Sequence, residues 1–487
     1  MLDLPTTSAT YSGLLIQGRW RRAADGSTFA VRNPADGAVV SEVADATDGD
    51  VADAIDAAAL ALPGWRSTPA IERGRVLRRA ADLLRGRCSD IADVMTREQG
   101  KPLAEGAGEL EYAAGFLEWF SGEAERIYGQ IVPSPRAGNR ILVLRQGVGV
   151  TAAITPWNFP AAMLTRKLGP ALAAGCTVVC KPASATPLTA MMICAAIEDA
   201  GAPPGVVNLI TSRRPQVVAQ AFLSDDRVRK LSFTGSTEIG RELIRASAGS
   251  VKRLSLELGG HAPFVVFDDA DLDLAVTELM ACKFRNAGQA CISVNRVYVQ
   301  RRVGDELAAR LAQAVAELRV GNGLDAGTDV GPLINSAAVD KVAAQVDDAL
   351  KGGAHLQVGG RRLSELGPNF YAPTLVTGVT PQMLVSREET FGPMLAMTTF
   401  EDEDDVLARS NDTEYGLAAY IHTRDYARIF RMSERLDFGI VGVNDGRPSS
   451  PSAPFGGMKQ SGFGREGGAF GIDEYLDVKY VSIGGVE

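Results

Sequence analysis

The chain has 487 residues and a net charge of −9 (50 Lys plus Arg, 59 Asp plus Glu), with 46% hydrophobic and 22% charged residues. That composition excludes a disordered chain and, without a concentrated basic stripe, a binder of nucleic acid or of an anionic membrane surface. Six cysteines without CxxC, three distant histidines without HExxH and no run of 18 apolar residues leave no disulfide scaffold, metal centre or membrane span to expect.

At roughly 150 residues per domain the length suggests two to four domains. The start MLDLPTTSATYSGLL lacks the basic and then apolar blocks of a secretory signal, so the expectation is a reduced, cytoplasmic protein. Residues 48–60 and 71–84 have apolar positions at three-to-four spacing behind an acidic or proline start and predict helices. Residues 128–146 are polar and contain proline, which suits a strand pair projecting from the body. In LVLRQGVGVTAAI (142–154) strand character is broken at Gly147 and Gly149, an excursion from one domain and a return to it. Residues 168–180 read as a buried helix followed by a strand, and 177–180, 206–210 and 230–233 as short buried strands. The acidic run 401–405 reads as a helix start. The closing YLDVKYV (475–481) alternates and could pair with the projecting strands, whose open edges a second subunit would cover. Strand-like runs alternating with alanine-rich amphipathic segments predict an α/β architecture with parallel sheets.

Five segments join reactive residue types to glycine or proline. In TPWNFP (155–160) two prolines stiffen the turn carrying Asn158, an amide able to stabilise an oxyanion or simply to cap a helix. In VVCKPASATP (178–187) Lys181 ends a buried strand, where it could meet ribose hydroxyls or a phosphate or be merely solvated. LSFTGSTEIG (231–240) is a glycine-flanked turn opening a helix, neither GxGxxG nor a P-loop. In LSLELGG (254–260) Glu257 interrupts an apolar strand, where desolvation raises its pKa towards that of a useful base; pairing with a Lys or Arg is the alternative. In NAGQACISVNR (286–296) small residues and backbone N–H groups surround Cys291 and could hold it as a thiolate nucleophile; the other five cysteines read as packing.

In order, TPWNFP, VCKPAS, FTGSTEIG, LELGG, GQAC, EETFGP (388–393) and PFGGMKQSGFGRE (454–466) resemble the aldehyde dehydrogenase superfamily from about Ile16 to the C-terminus, and the surrounding text looks most similar to succinate-semialdehyde dehydrogenases. The resemblance implies a Rossmann-like cofactor domain (1–128 and 147–257), an α/β catalytic domain (258–466) and a small β bridging element for oligomerisation (129–146 and 467–487), in a homodimer or homotetramer. It makes Cys291 the nucleophile, Asn158 and the Cys291 backbone N–H the oxyanion donors, and Glu257 the base that hydrolyses the thioester. It places Thr155, Pro156, Trp157, Lys181, Pro182, Ala183, Ser184, Gly235, Ser236, Leu258, Glu389 and Phe391 around the cofactor. Ser184 stands where many NAD-using relatives carry Glu, which implies a preference for NADP, with NAD possible. Arg166, Arg285 and Ser450 match residues that bind the carboxylate of succinate semialdehyde; the alternative is two surface arginines on helices. Ser293 replaces a second cysteine, so a disulfide switch is not expected, while His261 and the RPSSPS stretch (447–452) depart from the pattern. Glutarate semialdehyde, 2-oxoglutarate semialdehyde or a broader range of aldehydes are alternative substrates, and a catalytically silent nucleotide-binding relative is the alternative of another class.

Overall fold

The structure, a computed structural model, describes residues 12–485; the opening stretch read as lacking a secretory leader lies largely outside them. The first sheet has the strand order Arg19–Arg21, Leu14–Ile16, Val207–Leu209, Thr177–Lys181, Val150–Ile154, Val228–Thr234, Arg253–Glu257, Gly462–Phe463. Register pairs Ile154 with Lys181 and with Phe233, and Thr234 with Glu257, so four parallel strands end side by side. Because strand side chains alternate, Ala153, Val178 and Cys180 pack under the helices that include Leu103–Glu123, Ala162–Ala173 and Pro187–Asp199. Ala152, Ile154 and Val179 pack on the other face, under Asp48–Ser67, Pro215–Ser224 and Thr237–Ser247. Helices on both faces of a largely parallel sheet make this half Rossmann-like, with ligands expected outside the strands' carboxyl ends. Leu14–Ile16 and Gly462–Phe463 join this largely parallel sheet antiparallel. They arrive from distant parts of the chain and need no crossover helix.

The second sheet runs His355–Val358, Thr374–Thr377, Met394–Phe400, Val294–Gln300, Ala262–Val266, Ala418–His422, Ile440–Val443, parallel except at its first pair. Ala262, Phe264 and Val266 face one apolar core and Val265 the other. A third, antiparallel sheet joins Gln130–Val132, Arg140–Gly147 and Leu476–Ile483, with eight consecutive pairs from Leu476 opposite Gly147 to Ile483 opposite Arg140. Gly147 ends its strand and Gly149, at φ 134°, turns the chain back into the first sheet at Val150. Only glycine adopts that backbone freely.

The helix expected at 48–60 continues to Ser67 through Pro63, because Trp65 is buried and its indole N–H donates to the Leu172 carbonyl (3.2 Å). The acidic run is a helix start: Asp402 caps Glu403–Asn411 by accepting from the Asp405 N–H. Among the described residues no helix is long and apolar enough to cross a membrane, and no cluster of His, Cys, Asp and Glu is placed to hold a metal ion.

Candidate active site

The carboxyl ends of the first sheet face the loops of the second, and two cavities open between them. One, of about 380 Å³, is lined by Pro156, Trp157, Asn158, Gly235, Ser236, Leu258, Glu389, Phe391 and Cys291. Trp157 stands edge-on to Phe391 (centroids 5.6 Å apart, 84°), and Phe391 holds φ 52°, a left-handed conformation uncommon outside glycine. Glu389 accepts the Gly260 N–H (3.0 Å), and burial raises its carboxyl to about 7. A Cβ at Gly259 would lie 3.1 Å from Glu389 Oε2 and 3.4 Å from Thr237 Oγ1. This floor therefore stays flat and open.

The Thr155, Pro182, Ala183, Lys181 and Ser184 group does not line that cavity; it lies beside it, at and beyond the ends of the neighbouring strands. Lys181 is buried with its ammonium on the Pro182 carbonyl (3.1 Å), and desolvation lowers it to about 8 against the opposing pull of Asp45. Ser184 is half-buried and is not the helix cap: Thr186 holds that position, and Glu98 takes the first N–H groups of Pro187–Asp199 from Leu188 and Thr189 (both 2.8 Å). Thr155, Thr234 and Thr390 have buried hydroxyls with no partner among the described residues. Free hydroxyls, a buried lysine and the N-terminus of Thr237–Ser247 behind Gly235 and Ser236 suit a dinucleotide, so the residues present fit the cofactor.

Cys291, like Met163, also lines the second cavity, of about 320 Å³, together with Glu105, Tyr112, Phe159, Arg166, Arg285, Arg447, Ser449 and Phe455. Its thiol is pushed up to about 12, first by burial and then by the charge of Glu389, with Arg166 pulling down. Desolvation thus opposes the thiolate that its small neighbours and the local N–H groups would favour. Asn158 is buried and its side-chain amide donates to the Gln289 carbonyl (3.0 Å) on the turn that carries Cys291. An amide has two N–H groups, so one remains for an oxyanion. Glu257 is buried at the end of its strand, with Oε2 unpartnered among the described residues. Burial, then the charge of Glu466, raises it well above the usual carboxylate range, against Lys167 and Arg166.

Arg166 is buried, not on the surface: its guanidinium meets Glu466 (3.4 Å) and donates to the Tyr112 hydroxyl (2.9 Å), between the rings of Phe116 and Phe455. Arg285 is half-buried over Phe159 (5.2 Å), and its Nε finds no partner among the described residues. Ser450 does not line the cavity; its hydroxyl lies 3.0 Å from that of Ser452, and the neighbouring Ser449 reaches in to bond Tyr112. In the loop bracketed by Pro448 and Pro451, successive side chains leave in different directions.

Sequence reasoning missed Glu105, Tyr112, Arg447 and Ser449, although RPSSPS had marked the last two as part of a departure. It also gave no role to Lys167, which bonds Glu466 (2.5 Å) and Ser232 (3.1 Å) behind Glu257. His261, unexplained in the sequence, is buried, lies 3.1 Å from the Val385 carbonyl through Nε2 and is pushed down to about 3 by desolvation. As a neutral ring it fastens the segment leading to Glu389.

Comparison with known proteins agrees with this geometry. The profile described as "Aldehyde dehydrogenase family" matches residues 20–481. The chain is 52% identical to the succinate-semialdehyde dehydrogenase (NADP(+)) GabD of Escherichia coli over 96% of this chain and 97% of that protein. It is 51% identical to a glutarate-semialdehyde dehydrogenase of Pseudomonas aeruginosa over 97% of each. An aldehyde dehydrogenase structure from Brucella melitensis biovar abortus superposes with a TM-score of 0.96 at 52% identity, covering 99% of both chains. The chain belongs to the aldehyde dehydrogenase family.

Proposed function

We propose that this aldehyde dehydrogenase oxidises succinate semialdehyde to succinate, preferring NADP to NAD. The observation that carries the reading is Cys291 at the meeting of two cavities, one edged by arginines and one by Asn158, Glu389 and Phe391. The arginines attract the carboxylate tail and direct the carbonyl to the thiol. Cys291 gives its proton to solvent water as its sulfur adds to the carbonyl carbon, the C=O π pair moving onto the oxygen. The second N–H of Asn158 and the Cys291 backbone N–H hold the developing oxyanion. Lys181, Ser184, Gly235, Ser236, Glu389 and Phe391 would hold the nicotinamide cofactor, which would supply the acceptor for the hydride whose loss from that carbon leaves a thioester on Cys291. Glu257 takes a proton from water, whose oxygen attacks the thioester and releases the acid and the Cys291 thiol.

Arg285 is the main anchor, because the charge of Arg166 is already shared with Glu466. Replacing Arg285 with Ala lowers kcat/KM for succinate semialdehyde about 10- to 100-fold, the equivalent of a charged hydrogen bond, and changes butanal little. Equal losses on both aldehydes refute the assignment. The NADP preference is supported by a serine at 184 beside the buried Lys181 and by the NADP-dependent relative. Ser184→Glu shifts the ratio of kcat/KM values towards NAD, and a wild type that strongly prefers NAD overturns it.

Glutarate semialdehyde is the second reading, favoured by Arg447: exposed at the mouth and 4.0 Å from Glu278, it could take a carboxylate on a longer chain. Supported by the three sheets, we also propose the domain division stated above, with Gly462–Phe463 lying in the first sheet, and a homodimer or homotetramer. Six free cysteines support a cytoplasmic location.

A further inference from the structure

Asn158 and Cys291 come from different sheets, so something must fix their separation. The turn before Cys291 is strained: Asn286 and Ala287 hold φ 51° and 53°, left-handed values without glycine. Such residues persist only where their surroundings over-determine them. Those surroundings come from residues 99–109, far away in sequence. Glu105 accepts the Asn286 backbone N–H (2.7 Å), and the Gln99 side chain donates to Asn286 Oδ1 (2.8 Å). Gln99 Oε1 in turn accepts the Lys101 backbone N–H (2.9 Å).

Lys101 completes the connection. Its side chain is fully buried, its ammonium donates to the Asn158 carbonyl (2.8 Å) and to Glu109 (2.5 Å), and it lies over the Phe159 ring (4.1 Å). The Asn158 carbonyl also accepts from Asn286 Nδ2 (2.9 Å). Glu109 holds the next residues through the N–H groups of Ala161 (2.8 Å) and Ala162 (3.1 Å). On the far side the 99–103 segment is fixed to the second lobe, with Leu103 N–H donating to the Gly323 carbonyl (3.0 Å) and Gly100 packed closely against Gly331. Burying an ammonium is costly unless it is paired and fully bonded. Here both bonds of the ammonium fix residues 158–162 on one side of the reacting centre, while the Lys101 backbone N–H reaches Asn286 on the other side through Gln99.

We infer that Lys101, with Gln99, is a positioning residue: it holds the Asn158 carbonyl and the Cys291 turn in one frame, and so sets the place of the oxyanion amide. The inference rests on the roles assigned above to Asn158 and Cys291. Lys101→Met slows the single-turnover formation of reduced cofactor about 100-fold, the scale of a small misplacement of reacting groups. Dissociation constants for cofactor and KM for aldehyde change less than about threefold, and Lys101→Arg restores most of the rate. The deciding readout is a double-mutant cycle. In an Asn158→Ala background, Lys101→Met costs little more, because the amide it positions is already gone. If the two losses multiply, or if Lys101→Met acts on KM alone, the positioning role is wrong. If Asn158→Ala itself is fully active, or Cys291→Ala retains turnover, the site assignment fails instead and the inference falls with it. Should Lys101→Met not fold, judged by circular dichroism, Gln99→Leu leaves the ion pair intact and decides the same cycle by the same criterion.

Discussion

Glu257 shows how burial sets both the chemistry and its pH range. Desolvation and the neighbouring Glu466 charge raise its carboxyl well above the usual range. The protonated form, which cannot act as a base, therefore persists to higher pH than in an ordinary carboxylate. As pH rises through its pKa the base form grows, so a kcat limited by thioester hydrolysis increases. Lys181, lowered to about 8, sets an opposing limit, because above that pH it loses the charge that favours a 2′-phosphate. The expected outcome is a kcat that climbs with pH beyond the range of an ordinary carboxylate, while the KM for NADP, but not for NAD, worsens above pH 8. Glu257→Gln keeps the first turnover, seen as a rapid burst of reduced cofactor near one per site, and loses steady-state turnover about 100- to 10,000-fold, the usual span of general-base catalysis. A variant without a burst places Glu257 before hydride removal and contradicts its role. Residue types were the legible part of this site: a buried carboxylate, an amide between prolines and a cysteine after a small-residue turn all stood out. The electrostatics of Cys291 did not, because they depend first on burial by the folded chain and then on Glu389 and Arg166, which lie 98 and 125 positions away.

The helix Leu103–Glu123 explains what the sequence left hidden at the next scale. It presents Glu105, Glu109 and Tyr112 at successive helical spacings over the second cavity. Its apolar residues contact helices on several sides, so no single stripe marks it as a wall of the site, whereas residues 48–60 and 71–84 carried a visible pattern. The four aligned strand ends were easier to place, since the short apolar runs stop at Thr155-Pro156, at Lys181, before Gly235 and at Glu257. Tyr112 links two of the cavity's elements: its hydroxyl receives Arg166 and bonds Ser449 on the mouth loop. Tyr112→Phe removes that link without emptying space, frees Arg166 to turn towards Glu466 and loosens the loop. Its KM for succinate semialdehyde rises about 10-fold, the weight of one hydrogen bond to a charged group, with the KM for butanal little changed. Steady-state kinetics on the two aldehydes checks this, and a parallel rise in both shows that the helix only shapes the cavity.

At the scale of the whole molecule, Gly147 and Gly149 marked the point where the chain leaves the projecting sheet, and the alternation of 475–481 foretold its third strand. The meeting of the two large sheets could not be read, because it is made by contacts such as Asn158 with Gln289, 131 residues apart. The projecting sheet also carries a liability. Val478 (70% exposed), Tyr480 (62%) and Ile131 (79%) are apolar and open, and Leu476–Ile483 is an edge strand with one row of backbone groups unpaired within its sheet. Such an edge invites pairing with another chain, and a second copy of this one would cover it at no cost in specificity, since closed symmetric assembly repeats one contact. Sedimentation velocity therefore gives a dimer or tetramer for the wild type. Carrying both Val478→Asp and Tyr480→Asp shifts it to monomer, because two carboxylates would be buried without partners in the contact. Circular dichroism of the variant stays that of the wild type, since neither side chain contributes to an internal core. A wild type that sediments as a monomer, or a variant whose assembly is unchanged, shows that this sheet has another use.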